Sequence, residues 1–353
     1  MSRPPSFRGT FTGLTVALVA SVVLSAALGG FSFTPARLFS LLRQIAGLSP
    51  ALPADAIERN VLLSLRLPRV ALTGLTGAVL GVGGTLMQGL FRNPIVEPGM
   101  IGTSAGAALG ASLVFVVGVP VLGPAGGFGF FALPLLAFAG GLAATLLTLR
   151  IASAFGRVHV FTLLLAGIAV NALCAAGTGF LSYVARDPQA RNITFWSLGT
   201  FTTASWGAVA VVAAAATLGL AAAAREARAL DALMLGEDEA AALGVEPTRL
   251  TTRLLVLNTL MVGVATSMVG VIAFVGLVVP HVLRLTRSSS HAFLIPASAL
   301  LGATAMELVD VAARLVIRPA ELPVGILTAV VGAPVFLLIL LRAQRAGDPG
   351  AHG

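Results

Sequence analysis

Between Glu97 and Arg150 the chain carries no charged side chain. A helix crosses a bilayer with about 20 apolar residues, so a run this long holds two spans. Gly118, Pro120, Gly123, Pro124, Gly126 and Gly127 mark the turn between them. Uncharged runs recur along the sequence, and 57% hydrophobic with 10% charged residues is too apolar for soluble domains. Ten spans would occupy about 200 of the 353 positions. The expected fold is an all-α polytopic membrane protein of about ten transmembrane helices, one membrane domain over residues 1–353.

The first run, Phe11 to Leu28 behind Arg3 and Arg8, resembles a signal peptide but is long for one, and it reads as an uncleaved first span. A second runs from Val70 to Phe91 and stops at Arg92-Asn93-Pro94. The hairpin between Glu97 and Arg150 follows, then Val160 to Val184 and about Ala204 to Ala224. The thirty uncharged residues from Leu254 to Leu283 admit either one tilted span or a hairpin turning near Gly270. Two last spans are expected near Ala292 to Val309 and Leu322 to Leu341. The most polar stretch, Arg225 to Arg253, holds Gly236-Glu237-Asp238-Glu239 before an alanine run that ends at Gly244. Acidic residues first and glycine last predict a short capped helix.

All 22 basic residues are arginine. A phosphate-binding Walker loop needs its lysine, so ATP hydrolysis must come from another chain, and Schiff-base chemistry is excluded. One cysteine and four scattered histidines give no metal-ligand spacing. The charge of +8 reflects arginines at span ends rather than nucleic-acid binding. With both termini on the cytoplasmic side, nine arginines fall outside: Arg37, Arg43, Arg59, Arg66, Arg69, Arg186, Arg191, Arg314 and Arg318. That excess points to an anionic partner or substrate on the outer face.

The order of motifs resembles the iron-siderophore, haem and cobalamin permease family of bacterial ABC importers. The resemblance rests on Arg66-Leu67-Pro68-Arg69, Gln88 to Pro94 with Glu97-Pro98-Gly99, Leu164-Leu165-Ala166-Gly167, Phe274 to His281, and Glu321-Leu322-Pro323-Val324-Gly325. Glu97 to Gly102 and Arg191 to Gly199 look most like the haem permeases. The resemblance implies a type II importer permease in the bacterial inner membrane: a homodimer with the pathway at its interface, two ATPase subunits below and a periplasmic binding protein above. It favours the turn near Gly270. The chain would carry no catalytic residue, permanent cofactor or metal; haem would be its substrate, and ATP and Mg would sit on the ATPase. Ferric siderophore and cobalamin are the alternative substrates.

By the same resemblance, Arg66, Arg69 and Arg314 dock the binding protein, where an arginine fork suits carboxylates. A plainer reading anchors Arg66 and Arg69 at the lipid headgroups, and Asp310 is placed to pair with Arg314 at i,i+4. The coupling helix near 231–245 would use Gly236, Glu237, Ala240, Leu243 and Gly244, with Ala240 and Leu243 facing one ATPase groove. Tyr183, Arg186, Arg191 and Trp196 read either as a substrate vestibule or, for the tyrosine, as an interfacial belt residue. Val160 and Phe161 fall where relatives place an inner gate, and His281 reads as a helix-end residue rather than a haem ligand. Gly77 and Gly81, and Gly102, Gly106 and Gly110, make flat faces for packing within the subunit. An ion-coupled carrier is the rival mechanism, but Glu97, Glu307, Asp310 and Glu321 are all expected near span ends rather than at mid-membrane. An intramembrane protease lacks paired aspartates or a serine and histidine at matching depth.

Overall fold

A computed structural model of the chain describes residues 7–29, 32–50, 52–118, 128–154, 158, 160–285 and 289–347. The expected glycine-proline turn at 119–127 lies outside the described residues, as do Arg3, Arg157 and Arg287. Among the described residues the regular elements are helical. Seven helices are long and apolar enough to cross a membrane, and three shorter apolar ones bring the total to ten.

The first helix, α1 (Arg8–Ala27), leads into amphipathic α2 (Pro35–Ile45), whose start is set by Pro35 and by the Thr34 hydroxyl accepting from the Arg37 amide at 3.3 Å. Short α3 (Ala56–Val61) passes through a π-turn at Leu62–Arg66 into α4 (Leu67–Leu90). The chain then re-enters as an irregular stretch with a single 3-10 turn at Pro98–Ile101 before α5 (Thr103–Val117). Next come α6 (Phe128–Ala152), α7 (Val160–Val184), short α8 (Gln189–Ser197) and α9 (Trp206–Leu233). The series closes with the six-residue α10 (Glu237–Ala242), α11 (Pro247–Val269), α12 (Val275–Arg284), α13 (His291–Leu315) and α14 (Val324–Gly347).

The uncharged run from Leu254 to Leu283 is a hairpin. The first arm, α11, ends where Gly270 takes φ +82°, and Thr200 N–H donates to the Val269 carbonyl at 2.7 Å. The return arm is irregular from Gly270 to Phe274 and helical only from Val275, so α12 is about 15 Å long, half a bilayer. Arg284, at its far end, comes back to the side of Arg249 and Arg253.

At the centre lies α4, uncharged beyond Arg69 and buried without interruption from Val79 to Leu90, as a helix enclosed by neighbours must be. Its Leu67 end meets the ends of α1 and α13, and its Leu90 end meets the start of α13 and the end of α9. Without water between them, helices gain little from apolar burial alone, and small residues let them approach closely. A Cβ on Gly77 would lie 2.2 Å from the Gly302 carbonyl oxygen, and one on Gly302 2.2 Å from that of Gly77. Gly106 and Gly140 are matched in the same way between α5 and α6, and Gly110 meets the Leu136 carbonyl. These glycine faces therefore pack within the subunit. Closest of all, a Cβ on Gly84 would stand 1.7 Å from the Gly276 oxygen of α12.

Replacing Gly84 by alanine should therefore force α4 and α12 apart, at a cost of about 1–3 kcal/mol from overpacking. The thermal unfolding temperature in detergent should fall for Gly84→Ala and hold for Gly13→Ala, where a Cβ meets nothing within 4 Å. Equal unfolding temperatures for the two variants would contradict this packing.

Candidate functional site

Two stretches interrupt the spans, and they meet inside the bundle. Pro98 sits against Gly83 of α4 and Gly276 of α12, and its carbonyl accepts from Asn258 Nδ2 at 3.5 Å, level with the middle of α11. Backbone that leaves a helix at this depth must find partners in protein or in a water-lined cavity. Asn171 Nδ2 on α7 donates to the Met100 carbonyl at 3.1 Å and reaches that of Gly99 at 3.4 Å. Gly167, one turn earlier, lets the Met100 carbonyl in: a Cβ there would lie 2.3 Å from it. Phe274 N–H, at the start of α12, donates to Glu97 Oε2 at 3.2 Å.

These stretches wall a cavity of about 560 Å³. One side is Glu97 to Met100 with the start of α5, the second is Val271 to Phe274, and the third is the middle of α7 with Asn171, Ala175, Thr178 and Gly179. Mostly apolar, it carries Glu97 as its single ionisable lining residue among those described. Glu97 and Glu307 were expected near span ends. Instead Glu97 is carried inward by re-entry of the chain after α4, and Glu307 is fully buried two turns inside α13. Sequence spacing misjudged Glu97 because its break lies within a span, and Glu307 because α13 runs on to Leu315, past the expected end near Val309.

The arginine end is built of internal pairs. Arg69 Nη2 donates to Asp310 Oδ1 at 2.8 Å and Nη1 to Glu321 Oε2 at 2.8 Å. Arg314 meets Asp310 Oδ2 at 3.0 Å, the expected i,i+4 pair, and donates to the Leu28 carbonyl at 2.6 Å and Ser25 Oγ at 2.8 Å. Arg66, buried, donates to the Ala26 and Leu28 carbonyls and lies over the Phe33 ring. The Arg66 and Arg314 forks thus satisfy carbonyls at the end of α1, which lack helical partners. Arg37 pairs with Asp55 at 2.7 Å and with Glu58, and those bonds hold its guanidinium above the ordinary value. Much of the arginine excess on this face therefore has an internal cause. Arg66, Arg69 and Arg314 are brought together, as expected, but Arg66 and Arg314 turn inward instead of standing on the surface.

The vestibule residues divide. Tyr183 is 87% exposed at the end of α7, and Arg186 and Arg191 are exposed beside it. Trp196 is 8% exposed and packed among Ala107, Ala108, Ala111 and Ala137, so it offers no ring to that surface. At the other end of α7, Phe161 is 72% exposed while Val160 leans on the core.

At the opposite end of the bundle stands α10. Gly236 opens it at φ +143°, three acidic residues occupy its first turn, and Gly244 closes it at φ +82°. Ala240 and Leu243 do not share a face. Ala240 is 0% exposed, part of the main core, while Leu243 is 65% exposed and Leu235 and Met234 are exposed nearby. A helix of under two turns seated on the ends of α9 and α11 must bury its central alanine. Arg92, at φ +49° after α4, reaches Glu237 Oε1 at 3.5 Å and ties this knob to the re-entrant stretch. Sequence reading passed over Asp231, which accepts from His291 N–H at 2.8 Å and contacts His291 Nδ1 at 2.6 Å, fixing α9 to α13 beside α10. His281 lies in the last turn of α12.

Residues 17–342 match the model of the FecCD transport family. The hemin transport system permease protein HmuU of Yersinia pestis is 41% identical over 296 residues, 82% of this chain and 86% of that protein. The vitamin B12 import system permease protein BtuC of Salmonella typhi is 39% identical over 318 residues, 87% and 93% of the two chains. Among solved structures, a metal-chelate type ABC transporter in an inward-facing conformation superposes with a TM-score of 0.81 at 29% identity, covering 95% of this chain and 99% of that one.

Removing the carboxylate of Asp310 leaves the buried Arg314 and the part-buried Arg69 guanidinium short of their partner. Asp310→Ala should cost about 3–5 kcal/mol, seen as a large drop in unfolding temperature in detergent. Glu321→Ala, at the exposed edge of the same network, should cost under about 1 kcal/mol.

Proposed function

From its membership of the FecCD transport family, to which this chain belongs, we propose that it is the permease subunit of a haem importer in the bacterial inner membrane. It is no enzyme, and as an ABC permease it works with ATPase and substrate-binding partners. In the proposed assembly two copies face each other, both termini lie in the cytoplasm, haem enters from the periplasmic side, and ATP and Mg act on the ATPase. No cofactor stays bound to the permease.

The observation that carries the pathway is the cavity between the interrupted spans, walled by α7. This helix presents Tyr183 at one end, the cavity residues at its middle and Phe161 at the other end, about 33 Å away. A second copy laid on this surface would close the pathway. Exposed Arg186 and Arg191 suit the propionates of haem, with Tyr183 as aromatic surface, and Phe161, with Val160 behind it, suits an apolar inner gate. Haem is favoured by the identity to the hemin permease of Yersinia pestis; the longer match to the vitamin B12 permease of Salmonella typhi keeps cobalamin as the second reading.

The binding protein is proposed to dock at the arginine end through Arg66, Arg69 and Arg314, with an acidic residue of the partner exchanging for Glu321 on Arg69. The internal pairs make this an exchange rather than a capture by free arms. At the opposite end, the ATPase groove is proposed to receive α10 by Leu243 and Leu235, with Gly236, Glu237 and Gly244 shaping the knob and Ala240 anchoring it. A rigid knob seated on α9 and α11 can pass nucleotide-driven closure into the bundle.

Proteoliposomes holding the permease, its ATPase and a matched binding protein, offered haem, a ferric siderophore and cobalamin in parallel, should accumulate haem; uptake of either rival alone overturns the substrate assignment. Leu243→Glu should abolish ATPase stimulation by the permease while leaving its unfolding temperature unchanged. Ala240→Arg should lower that temperature as well, because the core has no room for the side chain. A Leu243→Glu transporter with full stimulation would remove α10 from coupling.

A further inference from the structure

Phe274 joins the two interrupted spans. Phe274 is a bulky residue at φ +68°, a left-handed conformation that side chains other than glycine adopt only when their surroundings compel it. It is also the N-cap of α12 and supplies no side-chain cap for that helix. Its carbonyl accepts from the Leu277 and Val278 amides of its own helix, and two contacts tie it to other elements. Its side chain lies on Gly332 of α14, where an added Cβ would come 2.3 Å from the Phe274 Cβ and 2.5 Å from the ring, and its N–H donates to the Glu97 carboxylate on the facing wall. The Glu97 side is itself anchored, because Pro98 is wedged between Gly83 and Gly276. A carboxylate at the start of a helix also meets the positive end of its dipole.

We propose that Glu97 is a latch: its hydrogen bond to the Phe274 amide holds the Val271–Phe274 wall against the Glu97–Met100 wall in one of the transporter's two states and yields in the other. The inference rests on reading this cavity as the translocation pathway. With the bond made, Phe274 stays left-handed and α12 is capped. With it broken, Phe274 relaxes, α12 loses its cap, and the wall is free to move. A strained residue tied to elements outside its own helix by one hydrogen bond and one packing contact is the kind of element that a nucleotide cycle can bias. Glu97 is thus a positioning residue, acting on the wall rather than on the substrate.

The test compares Glu97→Ala and Glu97→Gln in the transporter reconstituted with its ATPase and binding protein, reading haem uptake per ATP hydrolysed. The amide of Gln keeps an acceptor for the Phe274 N–H. Glu97→Ala should lose coupling by about tenfold, within the usual range for a two-state element, through ATP hydrolysis that no longer needs loaded binding protein, and Glu97→Gln should stay near wild type. Wild-type coupling in Glu97→Ala, or equal loss in both variants, overturns the latch. Should Glu97→Ala fail to assemble, amide hydrogen exchange of residues 270–280 in the wild-type complex decides. Protection at the start of α12 should differ between the nucleotide-free and ATP-bound states, and equal protection refutes the latch. If haem is the wrong substrate, the wild type shows no haem uptake while the exchange measurement still reads the latch.

Discussion

Inside a bilayer every backbone N–H and C=O needs a partner in the protein or in a water-lined cavity, and this chain breaks two of its spans where that demand is hardest to meet. The breaks are tolerated because each supplies what the other lacks. The Glu97 side chain takes the amide of Phe274, the N-cap of α12, Asn258 and Asn171 take carbonyls of the re-entrant stretch, and Gly276 and Gly167 clear the space for the approach. A cavity among helix ends follows from this arrangement, and a pathway made of interrupted helices can change shape without unwinding an intact one.

The motif blocks that carried the family resemblance turn out to be these contacts. Gln88 donates to the Leu277 carbonyl, Gly325 N–H donates to that of Leu198, and a Cβ on Gly325 would come 2.3 Å from the same oxygen. Their order along the chain was legible because each block sets a glycine or a proline at a fixed place among its neighbours. The spans were legible for a different reason, since charges and proline-glycine turns bound the long uncharged runs.

What escaped sequence reading was depth and facing. Charge spacing could not show that the chain re-enters after α4, so Glu97 was expected near a span end. An i,i+3 pair in so short a helix says nothing of which residue is swallowed by its base, and Ala240 is buried while Leu243 is not. Arginine counts say nothing of acceptors: the carbonyls at the end of α1 and the carboxylate of Asp310 absorb side chains that composition assigned to a partner. Trp196 likewise packs on a row of alanines that only the folded chain brings together.

As an ABC permease this chain works with a separate ATPase, which is proposed to move it through α10. The most direct test is uptake into sealed vesicles holding the permease with loaded binding protein, with and without the ATPase, under imposed proton and sodium gradients. Accumulation against a concentration gradient should require both the ATPase and hydrolysable ATP, and be indifferent to the ion gradients. Uphill accumulation by the permease alone on either ion gradient would contradict it.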